Sequence, residues 1–205
     1  QSNTYKFRNA TTNTGTASRY IAHSQGFMVK VNATGQNLVC QESHKTNTGA
    51  AFERSGDTDN SFVALRFSKG MNADESMLVF ENSASAGYDD FDVADLQSPV
   101  ETAVEMTLMA QGAPLAQDAR PFNGAIEIPV MLEMPEAGTY TFSVLETQLL
   151  PLGACLIVYD VVTGESMQLT TGAIMSITVN EPYFGERLVI RSTPAVDAVV
   201  TAATC

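Results

Sequence analysis

From Ala154 to Ser192 the chain turns every few residues: ACLIVYD, VVTGES, MQLTTGA, IMSITVN, EPYFGE and RLVIRS alternate apolar, β-branched runs with Thr-Gly or proline-containing turns. Runs this short cannot carry a helix, which needs about ten or more residues with an apolar stripe at a 3.6-residue period. They read as three strands and a short fourth, a β-meander of the kind found in β-sandwiches and jelly rolls. No stretch elsewhere carries a convincing helical stripe either. The predicted fold is therefore all-β: an antiparallel, jelly-roll-like β-sandwich ending in a β-meander.

Earlier segments fit that class. Gly26–Val31 alternates as a half-buried strand should, and Asn37–Gln41 follows it across an Ala-Thr-Gly-Gln turn, which predicts a hairpin. Ser61–Phe67 sets Phe62, Ala64 and Arg66 on one face and Val63, Leu65 and Phe67 on the other, and Met77–Phe80 pairs with it across KGMNADES. Val100–Gln111 fits neither period cleanly; its β-branched content makes it a strand. Ala125–Met134 contains Pro129, which places it at an edge or a bulge because proline offers no ladder donor. Gly138–Glu146 alternates most cleanly, with Tyr140, Phe142 and Val144 on one face, and MPEAG joins it to the preceding strand.

A chain of 205 residues buries a sufficient core unaided. The expected module covers residues 1–192, as one unit or as two sub-modules (1–97 and 98–192), with 193–205 a tail or linker. Gln1 in place of an initiator Met is expected of a processed form, an excised fragment or part of something longer. Three cysteines cannot all pair within one chain: Cys40 and Cys155 are either bridged or two buried thiols, and Cys205 is free or intermolecular.

Charge excludes whole classes of partner. With 23 acidic against 11 basic residues and a net charge of -12, the chain repels phosphate backbones and anionic lipid and has no basic stripe, so no nucleic-acid partner is expected. No apolar run approaches the roughly 20 residues of a membrane span, so no membrane insertion is expected.

Candidate chemistry concentrates in Met77–Leu96, where a strand runs into a loop carrying Asp89, Asp90, Asp92 and Asp95. Calcium takes six to eight oxygens from carboxylates, carbonyls and water, and such a loop offers them, although its spacing is not that of an EF-hand. The competing reading is a solvated turn whose aspartates cap backbone amides. Asp57, Asp59 and Asn60 form a weaker cluster that Gly56 makes an ordinary turn. His23 and His44 are the only histidines; no G-x-S-x-G elbow or HExxH accompanies them, Ser24 beside His23 is no evidence of a triad, and Cys40 with His44 is too little for zinc. Glu101 or Glu105 paired with a loop aspartate could be drawn from any acidic protein. The expectation is a non-catalytic protein.

Several stretches resemble a β-sandwich module found in large secreted and surface proteins of the Bacteroidota, ahead of the C-terminal sorting domain of type IX secretion. Tyr20–Ala33 (YIAHSQGFMVKVNA) resembles its IAP-x-QGF segment, and Leu78–Leu96 its F-x-x-x-A-x-x-G-F-D segment. Glu136–Glu146 resembles its GTYTFS strand, and Leu150–Ile190 its D-x-x-T-G turn and closing E-R-F-x-L strand. His23 stands where the family has proline, and no sorting domain follows Ile190. Because that signal is cut away on export, the resemblance implies a mature product or a fragment ending before it.

The resemblance implies an extracellular or cell-surface setting and a structural or adhesive role, with self-association or other surface proteins as partners. The two sequons, at Asn9 and Asn32, are incidental in a bacterium. A missing first strand could come from an upstream segment or a neighbouring subunit by strand addition. The alternative is a carbohydrate-binding module: the absence of Trp opposes it, while Tyr88, Phe91, Tyr183 and Phe184 near loops supply rings for sugar stacking.

Overall fold

The computed structural model describes residues 20–21, 29, 34–35, 37–45, 61–98, 100–122, 125–151 and 154–193. The chain divides into a unit of Lys6–Gly56 and a unit of Asp57–Cys205 with Gln1–Tyr5. Within the described part of the smaller unit, Thr34 and Gly35 form a turn, with Gly35 at φ 76. Asn37–Gln41 is not the strand the alternation predicts; it is exposed and runs into one turn of 3-10 helix, Glu42–His44. Its expected partner, Gly26–Val31, lies almost wholly outside the described residues.

The larger unit is all-β. Its strands are β1 (Ser61–Lys69), β2 (Asn72–Phe80), β3 (Val93–Ala94), β4 (Glu105–Ala110), β5 (Ala113–Arg120) and β6 (Glu127–Met134), then β7 (Gly138–Gln148), β8 (Cys155–Asp160), β9 (Ser166–Gln168), β10 (Ile174–Val179) and β11 (Tyr183–Thr193). They form one sheet in the order β10-β7-β1-β2-β5-β4-β6-β11-β8-β9, with β3 attached to β5. Every pair is antiparallel except β2 with β5, so the sheet is mixed rather than purely antiparallel. It spans position 97, because β1 pairs with β7 and β2 with β5.

Connection lengths show that the sheet curls. β6 and β7 lie five places apart in it, about 24 Å on a flat sheet, yet Pro135–Ala137 joins them and reaches no more than about 14 Å. β9 and β10 end the order at opposite sides but are joined by Leu169–Ala173 alone. That loop ties both sides: Leu169 N–H donates to Leu156 O (2.9 Å) beside β9, and Gly172 N–H donates to Val144 O (2.8 Å) beside β10. The sheet is thus nearly closed, like a barrel, around one apolar core drawn from both halves. Val63, Leu65 and Phe67 of β1, Leu132 of β6, Tyr140 and Phe142 of β7 and Leu188 of β11 are all fully buried in it. The opposite face of β1 is buried too at its start, where Phe62 and Ala64 pack with Met77.

MPEAG joins β6 to β7 as predicted, as a crossover between strands that do not pair. The closure corrects one sequence expectation. The last strands do not form a meander: β8 and β9 pair, but β10 pairs with β7, and β11 lies between β6 and β8. Pro129 sits in an interior strand rather than at an edge; the ladder with β4 ends beside it at Leu108↔Val130, and its other partner β11 bulges next to it, between Glu186 and Leu188. Cys155 is disulfide-bonded and Cys40 is an exposed free thiol, so neither is a buried free thiol and they are not bridged to each other. Cys205 lies outside the described residues.

The β6–β7 crossover is pinned by a ring. The Tyr140 hydroxyl donates to Glu136 O (2.8 Å) and accepts from Glu136 N–H (3.2 Å), while Lys69 Nζ donates to Ala137 O (2.8 Å) from the β1–β2 hairpin. Tyr140→Phe keeps the buried ring and orphans this backbone pair, so chemical denaturation should show a loss of about 1–2 kcal/mol.

Candidate functional site

The acidic loop belongs to a long excursion, residues 81–104, that leaves β2 and returns as β4. Its backbone is turned by its own side chains. Asp89 accepts Ser85 N–H on Oδ2 (2.6 Å) and Phe91 N–H on Oδ1 (2.8 Å), the Asx geometry that makes aspartate a turn former. Asp92, 5% exposed, accepts Asp89 N–H on Oδ2 and Ala119 N–H of β5 on Oδ1, both at 2.8 Å. β3 then pairs with β5, the Asp95 N–H donates to Pro114 O (3.0 Å), and the Asp95 carboxylate accepts the Thr107 hydroxyl (2.6 Å). Asp90 points to solvent.

The four predicted ligands therefore sit in one loop but do not converge. Asp89 and Asp92 serve backbone amides, Asp95 serves a hydroxyl on β4, and among the described residues no group of three or more His, Cys, Asp or Glu side chains is disposed to hold a metal. His44 is exposed in the 3-10 turn, its Nδ1 accepting the Gln41 N–H at 3.4 Å. His23, Ser24, Asp57, Asp59 and Asn60 lie outside the described residues. Of the four aromatic candidates, Tyr88 and Phe184 are exposed, Phe91 is half-buried, and Tyr183 is engaged through its hydroxyl on Glu186 O (2.8 Å) and its ring under Arg187.

The sequence reading assigned no structural role to half-buried Asp74 or to buried Glu105, Asp118 and Arg120. Asp74 and Ser76 of β2 act together on β4: Asp74 Oδ2 accepts the Met106 N–H (2.8 Å) and the Ser76 hydroxyl donates to Met106 O (2.7 Å). They supply what a neighbouring strand would, because β5 reaches β4 only at Leu108–Ala110. Glu105 accepts the Ser98 N–H at the foot of the excursion. Asp118 and Arg120, two apart on β5 and thus on one face, form a buried bidentate pair, with Arg120 Nε 3.0 Å from Asp118 Oδ1. The spacing in DAR was the only signal for that pair.

A second buried pair joins the two motifs quoted from the end of the chain. Asp160 opens the D-x-x-T-G turn and Arg187 lies in the closing strand, at the β-bulge between Glu186 and Leu188. Arg187 Nε and Nη2 reach Asp160 Oδ2 at 3.1 and 3.0 Å, and both residues are 3% exposed or less. Asp160 Oδ1 also accepts the Val162 N–H (2.9 Å), and Val161 N–H donates to Arg187 O (3.0 Å).

Burial decides the titration of Asp92, Asp74 and Glu105. Loss of solvent raises Asp92 from 3.8 to about 6, against the two amide bonds that lower it, with Asp118 and Asp89 adding repulsion. Asp74 and Glu105 are raised as well, again chiefly by burial; Glu105 stands directly opposite Glu133 in register. A carboxyl raised on folding stabilises the fold fully below its unfolded value and loses that contribution as pH climbs through its folded value. The urea midpoint should therefore fall between about pH 4 and pH 7, and Asp92→Asn should flatten part of that slope.

No protein family, curated protein or solved structure matches the chain.

Proposed function

We propose that this chain is a non-catalytic structural and adhesive module of a secreted or cell-surface bacterial protein, and that it serves assembly. In this reading it is a relative of the Bacteroidota modules that precede type IX sorting domains, and the two halves of the curled sheet are the two layers of their jelly-roll sandwich. One observation supports the proposal: among the described residues, the buried and half-buried charged groups of the sheet are spent on the framework. Asp74, Asp92 and Glu105 accept backbone amides, and Asp118–Arg120 and Asp160–Arg187 satisfy each other. A catalytic centre holds such groups ready for a substrate; these are already engaged.

Light scattering and negative-stain microscopy of native material test this reading. Defined oligomers or filaments are expected; a compact monomer at every concentration would contradict the assembly role. Glycan binding is the second reading, favoured by the exposed rings of Tyr88 (54%) and Phe184 (61%). Binding on a glycan array that disappears in Tyr88→Ala or Phe184→Ala would establish it instead.

A further inference from the structure

The two ends of the sheet are protected very differently. β9 is three residues long, and its shortness alone limits what can pair with it. β10 is six residues long, IMSITV, and among the described strands it pairs with β7 only. Its register with β7 runs from Ile174↔Ser143 to Val179↔Gly138 without a bulge, and it holds no charge and no proline. Among the described residues, none of the usual devices that blunt an edge is present.

The outward positions of β7 directly paired with β10 are uncharged as well. Met175, Ile177 and Val179 point into the core, while Ile174 (65% exposed), Ser176 and Thr178 face out. The outward positions of β7 that pair with them are Thr139, Thr141 and Ser143, and none ionises. On a chain of net charge -12, two copies repel wherever their carboxylates meet, so contact between copies is least opposed along an edge strand that carries none.

We propose that β10 is the docking edge for a second copy of this chain, paired antiparallel to the partner's β10 about a two-fold axis at Ser176. In that register Ser176 faces its own counterpart, Ile174 faces the partner's Thr178 and Met175 faces the partner's Ile177. Core-facing residues then meet core-facing ones, and no like charges oppose. The same patch serves both copies, so association closes at the dimer. A ladder this short buries less than the roughly 1,000 Å² of a lasting interface, so the dimer is concentration-dependent. The inference rests on the assembly reading and names its surface.

Sedimentation velocity across micromolar to near-millimolar protein tests it on wild type, Ser176→Lys, Thr178→Lys and Ser176→Thr, with circular dichroism to verify folding. The wild type and Ser176→Thr should rise from 21.9 kDa towards twice that mass. Ser176→Lys, which sets two ammonium groups against each other at the axis, should stay at 21.9 kDa; Thr178→Lys gives an independent block should that variant misfold. Association that persists in both lysine variants would overturn the β10 edge and leave assembly standing. A wild type that stays at the monomer mass throughout would overturn both.

Discussion

Arg187→Ala should lower the unfolding free energy by about 3–5 kcal/mol, the usual cost of stranding one member of a buried ion pair. The loss has two sources. Asp160, 2% exposed, would lose its guanidinium, and the D-x-x-T-G turn would keep only its backbone ties to β11, among them the Val161 N–H to the Arg187 carbonyl. With domain stabilities commonly about 5–15 kcal/mol, the variant should sit close to the unfolding threshold at room temperature. The pair itself is not the source of the stability. Charges removed from water repay little, so Asp160→Leu with Arg187→Met should be less damaging than either single change. Urea denaturation of the two single variants and the double variant gives the coupling directly. Additive losses would mean that the two side chains act separately.

Phe142→Ala should cost a comparable amount, about 3–5 kcal/mol, for a different reason. Phe142 lies in register between Phe67 of β1 and Met175 of β10 and is fully buried. Its ring thus fills the core next to the strand that ends the sheet, where β10 has a neighbour on one side only among the described strands. Truncation leaves a cavity that the short β10 cannot close, so hydrogen exchange in β10 should accelerate more than in β6 or β11. Uniform acceleration across all strands would show instead that the sheet opens as one unit.

The strands with strict alternation were legible because their period matches one buried and one outward face. GTYTFSVLE and SFVALRF became β7 and β1 with the alternation of faces that their period predicts. β5 was not legible: APLAQDAR has no β-branched residue and begins with Ala-Pro, and local propensity gives no reason to extend it. It is a strand because of its place. Gln111 (φ 50) and Gly112 (φ 86) turn the chain back from β4, and β2 offers its backbone on the other side. Pairing order failed for a related reason. Short connections were read as hairpins, whereas curling brings distant strands close enough for three residues to span them. In the site, the Asp89 and Asp92 turns followed from aspartate chemistry alone. Asp74, Glu105 and Asp118 did not, because their roles depend on strands that meet only in the folded sheet.

Thermal unfolding at neutral pH, run in chelator and then with millimolar calcium, is the most direct test of the central claim that the carboxylates of the excursion build the framework themselves. Bonds made to Ser85, Asp89, Phe91 and Ala119 amides and to Thr107 require no cation, so the two curves should coincide. A midpoint that climbs with calcium, and is lost in Asp92→Asn or Asp95→Asn, would show a loaded metal site and contradict the account.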